Sequence, residues 1–230
     1  MNILPMLAAL AVGGITLLGF PAHADTSTPQ AWQQQVAAIS AGDSTTARGL
    51  AITDQLDALG IAWRTEPFEI DGQAGNNLVA DLGGKADAPL LLIGAHYDRV
   101  DKGQGATDNA SGSATGVALA AALRAKPLPN QRVHVVFWDL EEKGLLGSRA
   151  WVATPGREKP ALYVNFDVFG WGNTLWMMAP TADEPLATLL SAQSKVAGLN
   201  FSAGDKYPPT DHLAFLKAGW PAVSFSLVGS

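Results

Sequence analysis

The sequence predicts an α/β protein, a three-layer α/β/α sandwich around a mixed, mostly parallel central sheet. Three observations predict it. Continuous apolar runs at 89–94 (PLLLIG), 133–138 (VHVVFW) and 162–166 (LYVNF) read as strands buried on both faces. Between them lie 111–126, rich in alanine and leucine, and 145–153, both of helical character, which is the grammar of strands joined by crossover helices. Finally, 24 glycines beside only 16% charged residues suit tight turns in a packed chain rather than disorder.

Each element has its own signal. Thr28-Pro29 pairs a helix N-cap with proline at the first helical position, so a helix should continue through 31–39. A second helix over 43–59 places Leu50, Ile52, Leu56 and Leu59 at helical spacing and stops at Gly60. The period then changes: 61–70 and 77–82 read as strands around the turn residues Asp71, Gly72 and Gly75. After the three buried runs come a strand at 175–178, a helix at 184–196, a short helix at 211–217 and a last strand at 222–227. No linker or composition shift divides residues 25–230, which are expected to form one domain.

Composition narrows the function classes. A chain of 230 residues can hide roughly 70% of its unfolded surface without staples. It contains no cysteine, which excludes disulfides, thiol nucleophiles and lipid-modified cysteines. The net charge of −6 disfavours a nucleic-acid partner. Residues 1–20 are almost uniformly apolar and run into Pro21-Ala22-His23-Ala24, an A-x-A cleavage pattern. Residues 1–24 are therefore expected to be a signal peptide and the mature chain to be periplasmic or secreted, with no membrane association after cleavage. The run lacks a preceding lysine or arginine, which leaves an uncleaved anchor as the alternative.

Ligands of open α/β sheets gather at the carboxyl ends of the strands. There the sequence is repetitively polar. PLLLIG is followed by Ala95-His96-Tyr97-Asp98, VHVVFW by Asp139-Leu140-Glu141-Glu142, and LYVNF by Asp167. The loop GQGATDNASG adds Asp108 before a helix, and Thr210-Asp211-His212 adds a second histidine before another. Taken singly, each piece has an ordinary reading: a core histidine, a solvated acidic pair, a helix cap, a turn carboxylate. His134, inside a strand, reads as structural. Taken together, two imidazoles and several carboxylates on one sheet edge would repel unless cations compensated them. Histidine and carboxylate without thiolate suits zinc, with manganese or cobalt as alternatives, and the count suits two ions sharing a bridging carboxylate.

Four ordered segments carry a resemblance: GAHYDRVDKGQGATDNASG, FWDLEEKGLLGS, NFDVFG and TDHLAFLKAGWPA. They closely resemble the secreted zinc-dependent aminopeptidases of bacteria, in the di-zinc exopeptidase family that also holds aminopeptidase Y and the glutaminyl cyclases. The resemblance implies the zinc exopeptidase fold and two Zn2+ ions. It implies that Asp108 bridges them, His96 and Asp167 complete one site, and Glu142 and His212 complete the other. Glu141 becomes the general base acting on a zinc-bridging water, Asp98 the residue that fixes the His96 tautomer, and the Asp108-Asn109 peptide is expected to be cis. The implied substrate is a peptide with a free amino terminus, its first residue leucine-like or otherwise apolar. Trp171, Trp176, Met177, Met178, Phe201 and Tyr207 lie where the family builds its pocket walls, although core positions are the ordinary reading for each.

Two intervals depart from the family: Asp167 to His212, and the stretch after His212, are both short. A relaxed pocket and a monomer or weak homodimer are therefore expected. Three other readings of the same fold stay open: a carboxypeptidase-type member, a glutaminyl cyclase, and a non-catalytic binding member.

Overall fold

The computed structural model describes residues 28–180 and 184–229. The expected signal peptide at 1–24 lies outside the described residues. Helix α1 (Pro29–Ser40) begins as the sequence predicts, with the Thr28 hydroxyl accepting the Ala31 N–H at 3.0 Å, and α2 (Thr45–Ala58) is capped by Ser44 in the same way. Then come β1 (Trp63–Ile70), β2 (Gln73–Asp81), β3 (Leu90–His96), a π-helical turn (Ala106–Ala110), α3 (Ser111–Ala125), β4 (Arg132–Trp138) and α4 (Leu146–Ala153). The chain continues through β5 (Leu162–Phe166), β6 (Thr174–Met178), α5 (Glu184–Val196), β7 (Asn200–Gly204), α6 (His212–Lys217) and β8 (Ala222–Val228).

The eight strands form one sheet in the order β1-β2-β4-β3-β5-β8-β6-β7. Its centre, β4-β3-β5-β8, is parallel, while β1 with β2, β2 with β4, and β6 with β8 are antiparallel. The sheet is mixed and mostly parallel at its core, as the apolar runs predict. Alternation along those runs divides the core into two layers. Leu91, Ile93, Val135 and Val164 join Ile52, Leu56 and Val117 from α2 and α3 on one face. Leu92, Val136, Trp138 and Tyr163 meet Trp151 of α4 and Phe215 of α6 on the other. Among the described residues, no helix is long and apolar enough to cross a membrane.

Two elements differ from the sequence reading. Strand β2 starts at Gln73, so Gly75 is inside the strand, opposite Phe68, rather than in the turn. A Cβ there would press into the Phe68 ring, which is why the position is glycine. Strand β7 was not anticipated at all; its sequence NFSAG is short, small and polar.

Candidate metal centre

The parallel strands deliver their polar ends to one edge. His96 is the last residue of β3, only 1% exposed, and its Nδ1 lies 3.2 Å from Asp98 Oδ1. Its Nε2 faces three carboxylates: Asp108 Oδ1 at 3.2 Å, Asp167 Oδ1 at 3.5 Å and Glu141 Oε2 at 3.9 Å. Asp98 also accepts the backbone N–H groups of Glu141 and Glu142, each at 3.1 Å, and so fastens the loop beyond β4 to the loop beyond β3. Asp108 lies in the π-helical turn, and its peptide bond to Asn109 is cis, as expected.

Asn109 joins that turn to Asp167. Its Nδ2 donates to the Phe166 carbonyl at 3.0 Å, while its Oδ1 accepts the Gly112 and Val168 N–H groups. Asp167 itself is braced from the other side, its N–H donating to the Phe225 carbonyl at 3.0 Å and its carbonyl accepting from the Ser226 hydroxyl. Leu140 and Val168, beside Glu141 and Asp167, both hold the left-handed conformation, at φ 56° and 53°. For a β-branched valine this is an unfavourable backbone, and such residues concentrate at sites that hold them in place.

Two groupings of possible cation ligands result, each with its ligand atoms within 4.8 Å of one another: His96 with Asp108 and Glu142, and His96 with Glu141 and Asp167. His212 falls outside both. It opens α6, fully buried, with both ring nitrogens lacking a hydrogen-bond partner and its ring 4.8 Å from that of Tyr207. Asp139 also stands apart, accepting the Asn76 N–H at 2.9 Å, and His134 pairs with Asp81 at 3.5 Å within the sheet.

Burial and neighbouring charges pull the titratable groups of the cluster in opposite directions. Burial alone would push the His96 imidazole down, yet Asp108, Asp167 and Asp98 hold it well above its ordinary range. Burial drives the Glu141 carboxyl up to about 9, with Asp211, Asp167 and Asp98 adding to the rise and His96 opposing it. Glu142 is raised by burial and by Asp108, whereas the hydrogen bond from His96 lowers Asp108. Burial takes His212 down to about 4 against the pull of Asp167, leaving it neutral near pH 7. His212, a neutral buried imidazole with two bare nitrogens under the influence of Asp167, and the clustered carboxylates around His96 are donors of the kind a divalent cation fits.

Several supporting residues carry no motif and were not singled out from the sequence. Asn165, fully buried, accepts from the Tyr163 hydroxyl at 2.7 Å and donates to Thr210 and Ser224. Its orientation is determinate: the Trp138 indole, which can only donate, gives its hydrogen to the Tyr163 oxygen, so the Tyr163 hydrogen must go to Asn165 Oδ1. Arg48, from α2, is another such residue. Of the expected pocket walls, Met177 and Met178 are core, 0% and 1% exposed, on a strand paired on both sides by β8 and β7. Phe201 packs against the same core; Trp171 is 62% exposed beyond Asp167, and Tyr207 lies on His212. A cavity of about 300 Å³ lined by Arg64, His134, Trp151 and Arg157 lies near the amino ends of β3 and β4, away from this cluster.

Comparison with known proteins gives a consistent picture. Residues 77–229 match the model of Peptidase family M28. The chain is 31% identical over 177 residues to leupeptin-inactivating enzyme 1 of Streptomyces exfoliatus, an alignment covering 74% of this chain and 40% of that protein. It is 30% identical over 157 residues to an aminopeptidase of Pseudomonas aeruginosa, covering 62% and 29% respectively. The chain thus spans well under half the length of these relatives. In three dimensions it is similar to the LapA aminopeptidase of Legionella pneumophila, with a TM-score of 0.73 at 19% identity over 98% of this chain and 64% of that one.

Proposed function

The chain belongs to peptidase family M28, and from that premise we propose that it is a metal-dependent aminopeptidase that hydrolyses the first peptide bond of substrates with a free amino terminus. What carries the reading is the convergence of His96, Asp108, Glu141, Glu142 and Asp167 on one sheet edge, with Asp98 joining the loops beneath them. The name of the Pseudomonas relative, an aminopeptidase, supports it as a description of that protein.

Asp108, His96, Asp167 and Glu142 would hold the zinc, two ions by the count of carboxylates, with His212, at the start of α6 and outside the two groupings, as the further ligand. Bound there, the ions supply Lewis acidity that polarises the scissile carbonyl and acidifies water. The remaining work falls to the chain. Glu141, 3.9 Å from the His96 ring, takes the proton of the attacking water and delivers it to the departing amine. Asp98 holds the Nδ1 proton of His96, which leaves Nε2 free as a ligand atom. Carboxylates in excess attract the cationic α-amino group, which favours an exopeptidase over an endopeptidase. Apolar first residues are the proposed preference. The apolar leader implies action outside the cytoplasm; a native chain beginning at Asp25 supports that, and one still beginning at Met1 in the cytoplasm rejects it.

The test is hydrolysis of leucine p-nitroanilide by untreated, chelated and zinc-restored protein beside Glu141→Ala. Activity lost with chelator, regained with zinc and absent in the variant is expected. A zinc-loaded protein silent on a broad aminoacyl panel rejects the proposal.

A further inference from the structure

Arg48 is a buried charge whose place needs an explanation. Its side chain is fully inaccessible, within a helix that precedes the residues matched by the family model. Its three hydrogen bonds go to backbone carbonyls, not carboxylates. Nε donates to Tyr97, Nη1 to Gln104 at 3.0 Å and Nη2 to Gly105 at 3.2 Å. Burial brings the guanidinium down only to about 10, so it remains a cation at neutral pH, its charge offset by Asp98, Asp108 and Glu142 and opposed by Arg99.

The three carbonyls are not a random set. Tyr97 lies between His96 and Asp98, where the chain leaves β3; Gln104 and Gly105 lie where the same loop enters the π-helical turn that carries Asp108. The Gly105 carbonyl also accepts the Ala110 N–H at 3.0 Å, which closes that turn around Asp108 and Asn109. Gly105 holds φ +59°, and a Cβ on it would press on the Asp108 carbonyl and the Arg99 side chain, so the turn entry has little freedom to adapt. One planar fork therefore spans the loop at both ends, with its donors in fixed relation. An apolar side chain would fill the same space but deprive each of the three carbonyls of its donor, and a lysine, without the planar fork, could not reach all three at once.

We propose that Arg48 is a positioning residue for the metal centre: its guanidinium ties the start of the loop, at His96 and Asp98, to its end, at Asp108, and places a permanent positive charge behind the carboxylates before any cation arrives. The inference rests on the metal-dependent reading above and extends the site to a helix that carries none of its motifs. Arg48 touches neither substrate nor the reacting atoms, and acts through the loop.

The test uses the full chain with Arg48→Lys, which keeps the charge but cannot fork across three carbonyls, and Arg48→Met, which keeps length and loses charge. Hydrogen exchange is followed on metal-free protein, and cobalt(II) uptake is followed by its visible absorption. Expected are faster exchange confined to residues 97–110, unchanged protection in β3, β4 and β5, and cobalt affinity weakened about 10–100-fold, more by Met than by Lys. A folded variant that exchanges and binds cobalt like the parent overturns the proposal. So does collapse of the sheet in both variants, which would make Arg48 a support of the whole fold. A parent chain that takes up no cobalt removes the metal reading instead, and the exchange arm then decides by itself whether Arg48 holds the loop.

Discussion

The Asp98 carboxylate, two residues beyond β3, accepts the backbone N–H of Glu142, in the loop beyond β4, at 3.1 Å. The same side chain holds His96 and the Glu141 N–H, so three members of the candidate centre share one anchor. Replacing it by alanine strands two backbone donors and frees the imidazole. We expect Asp98→Ala to lose about 2–4 kcal/mol of stability, since an unsatisfied buried donor costs about 1–3 kcal/mol, and to weaken zinc binding about 10–100-fold. Denaturant titration and metal titration check the two separately.

Glu141→Gln keeps the shape of the side chain and removes its basicity. Turnover of an aminoacyl anilide should fall about 10²–10⁴-fold, the usual weight of general acid–base catalysis. Zinc content, measured by atomic spectroscopy, should not change. Loss of metal along with activity would make Glu141 a ligand instead.

Gly112 is the second residue of α3, four positions after Asp108. A Cβ on it would collide with Asn109 Oδ1, which accepts the Gly112 and Val168 N–H groups, and with the Phe166 carbonyl, which accepts from Asn109 Nδ2. Gly112→Ala should destabilise by about 1–3 kcal/mol, the usual effect of overpacking, and should disturb Asp108 and Asp167 together. Thermal melting and metal affinity are expected to fall in parallel.

Stability of the metal-free protein should fall as pH rises to about 9. Asp211 at about 7 and Glu141 at about 9, both raised chiefly by burial, hold protons in the folded state that the unfolded chain has already released, so each gives a negative slope of stability against pH, Asp211 up to about 7 and Glu141 on up to about 9. His96, raised above its ordinary range, contributes in the same direction. His212 works oppositely at the acid end: with a folded value of about 4, it adds stability as pH climbs from there through its ordinary 6.5. Melting curves across pH 4–9, with and without Glu141→Gln, check the signs; the variant should flatten the alkaline fall.

Asn165→Leu tests the polar chain under the centre. It leaves the Tyr163 hydroxyl and the Thr210 and Ser224 oxygens without their amide partner, a loss of about 2–4 kcal/mol on the scale of buried unsatisfied groups. Since Thr210 leads directly into Asp211 and His212, zinc affinity should drop more than Tyr163→Phe makes it drop. Equal effects would confine Asn165 to packing.

How much of this was legible follows from what kind of interaction each residue makes. PLLLIG, VHVVFW and LYVNF announce buried strands because burial on both faces demands continuous apolar sequence, and the residues that end them therefore announce the edge at which His96, Glu141 and Asp167 meet. Strand β7 gave no such signal, for NFSAG at a sheet margin needs only backbone pairing. Gly75 misled, because glycine serves both turns and crowded strand crossings. Arg48 and Asn165 were silent for another reason: they bond to backbone carbonyls and hydroxyls of distant segments, which leaves no local pattern. His212 was legible as a histidine before a helix, but its separation from the two ligand groupings depends on how α6 packs.

Asp167 is braced by Phe225 and Ser226 of β8, and Asn165 by Ser224 of the same strand. These partners are among the last described residues to leave the ribosome. The order of synthesis therefore acts as a timer: β3, β4 and β5 can associate early, with Asn109 holding one side of the Asp167 segment, but the Asp167 backbone gains its second brace only when some sixty later residues have joined the sheet, and contacts of such long sequence separation form slowly. The edge on which His96 and Glu141 lie can thus be in place, through the pairing of β3 with β4 and β5, before Asp167 is held at its final position.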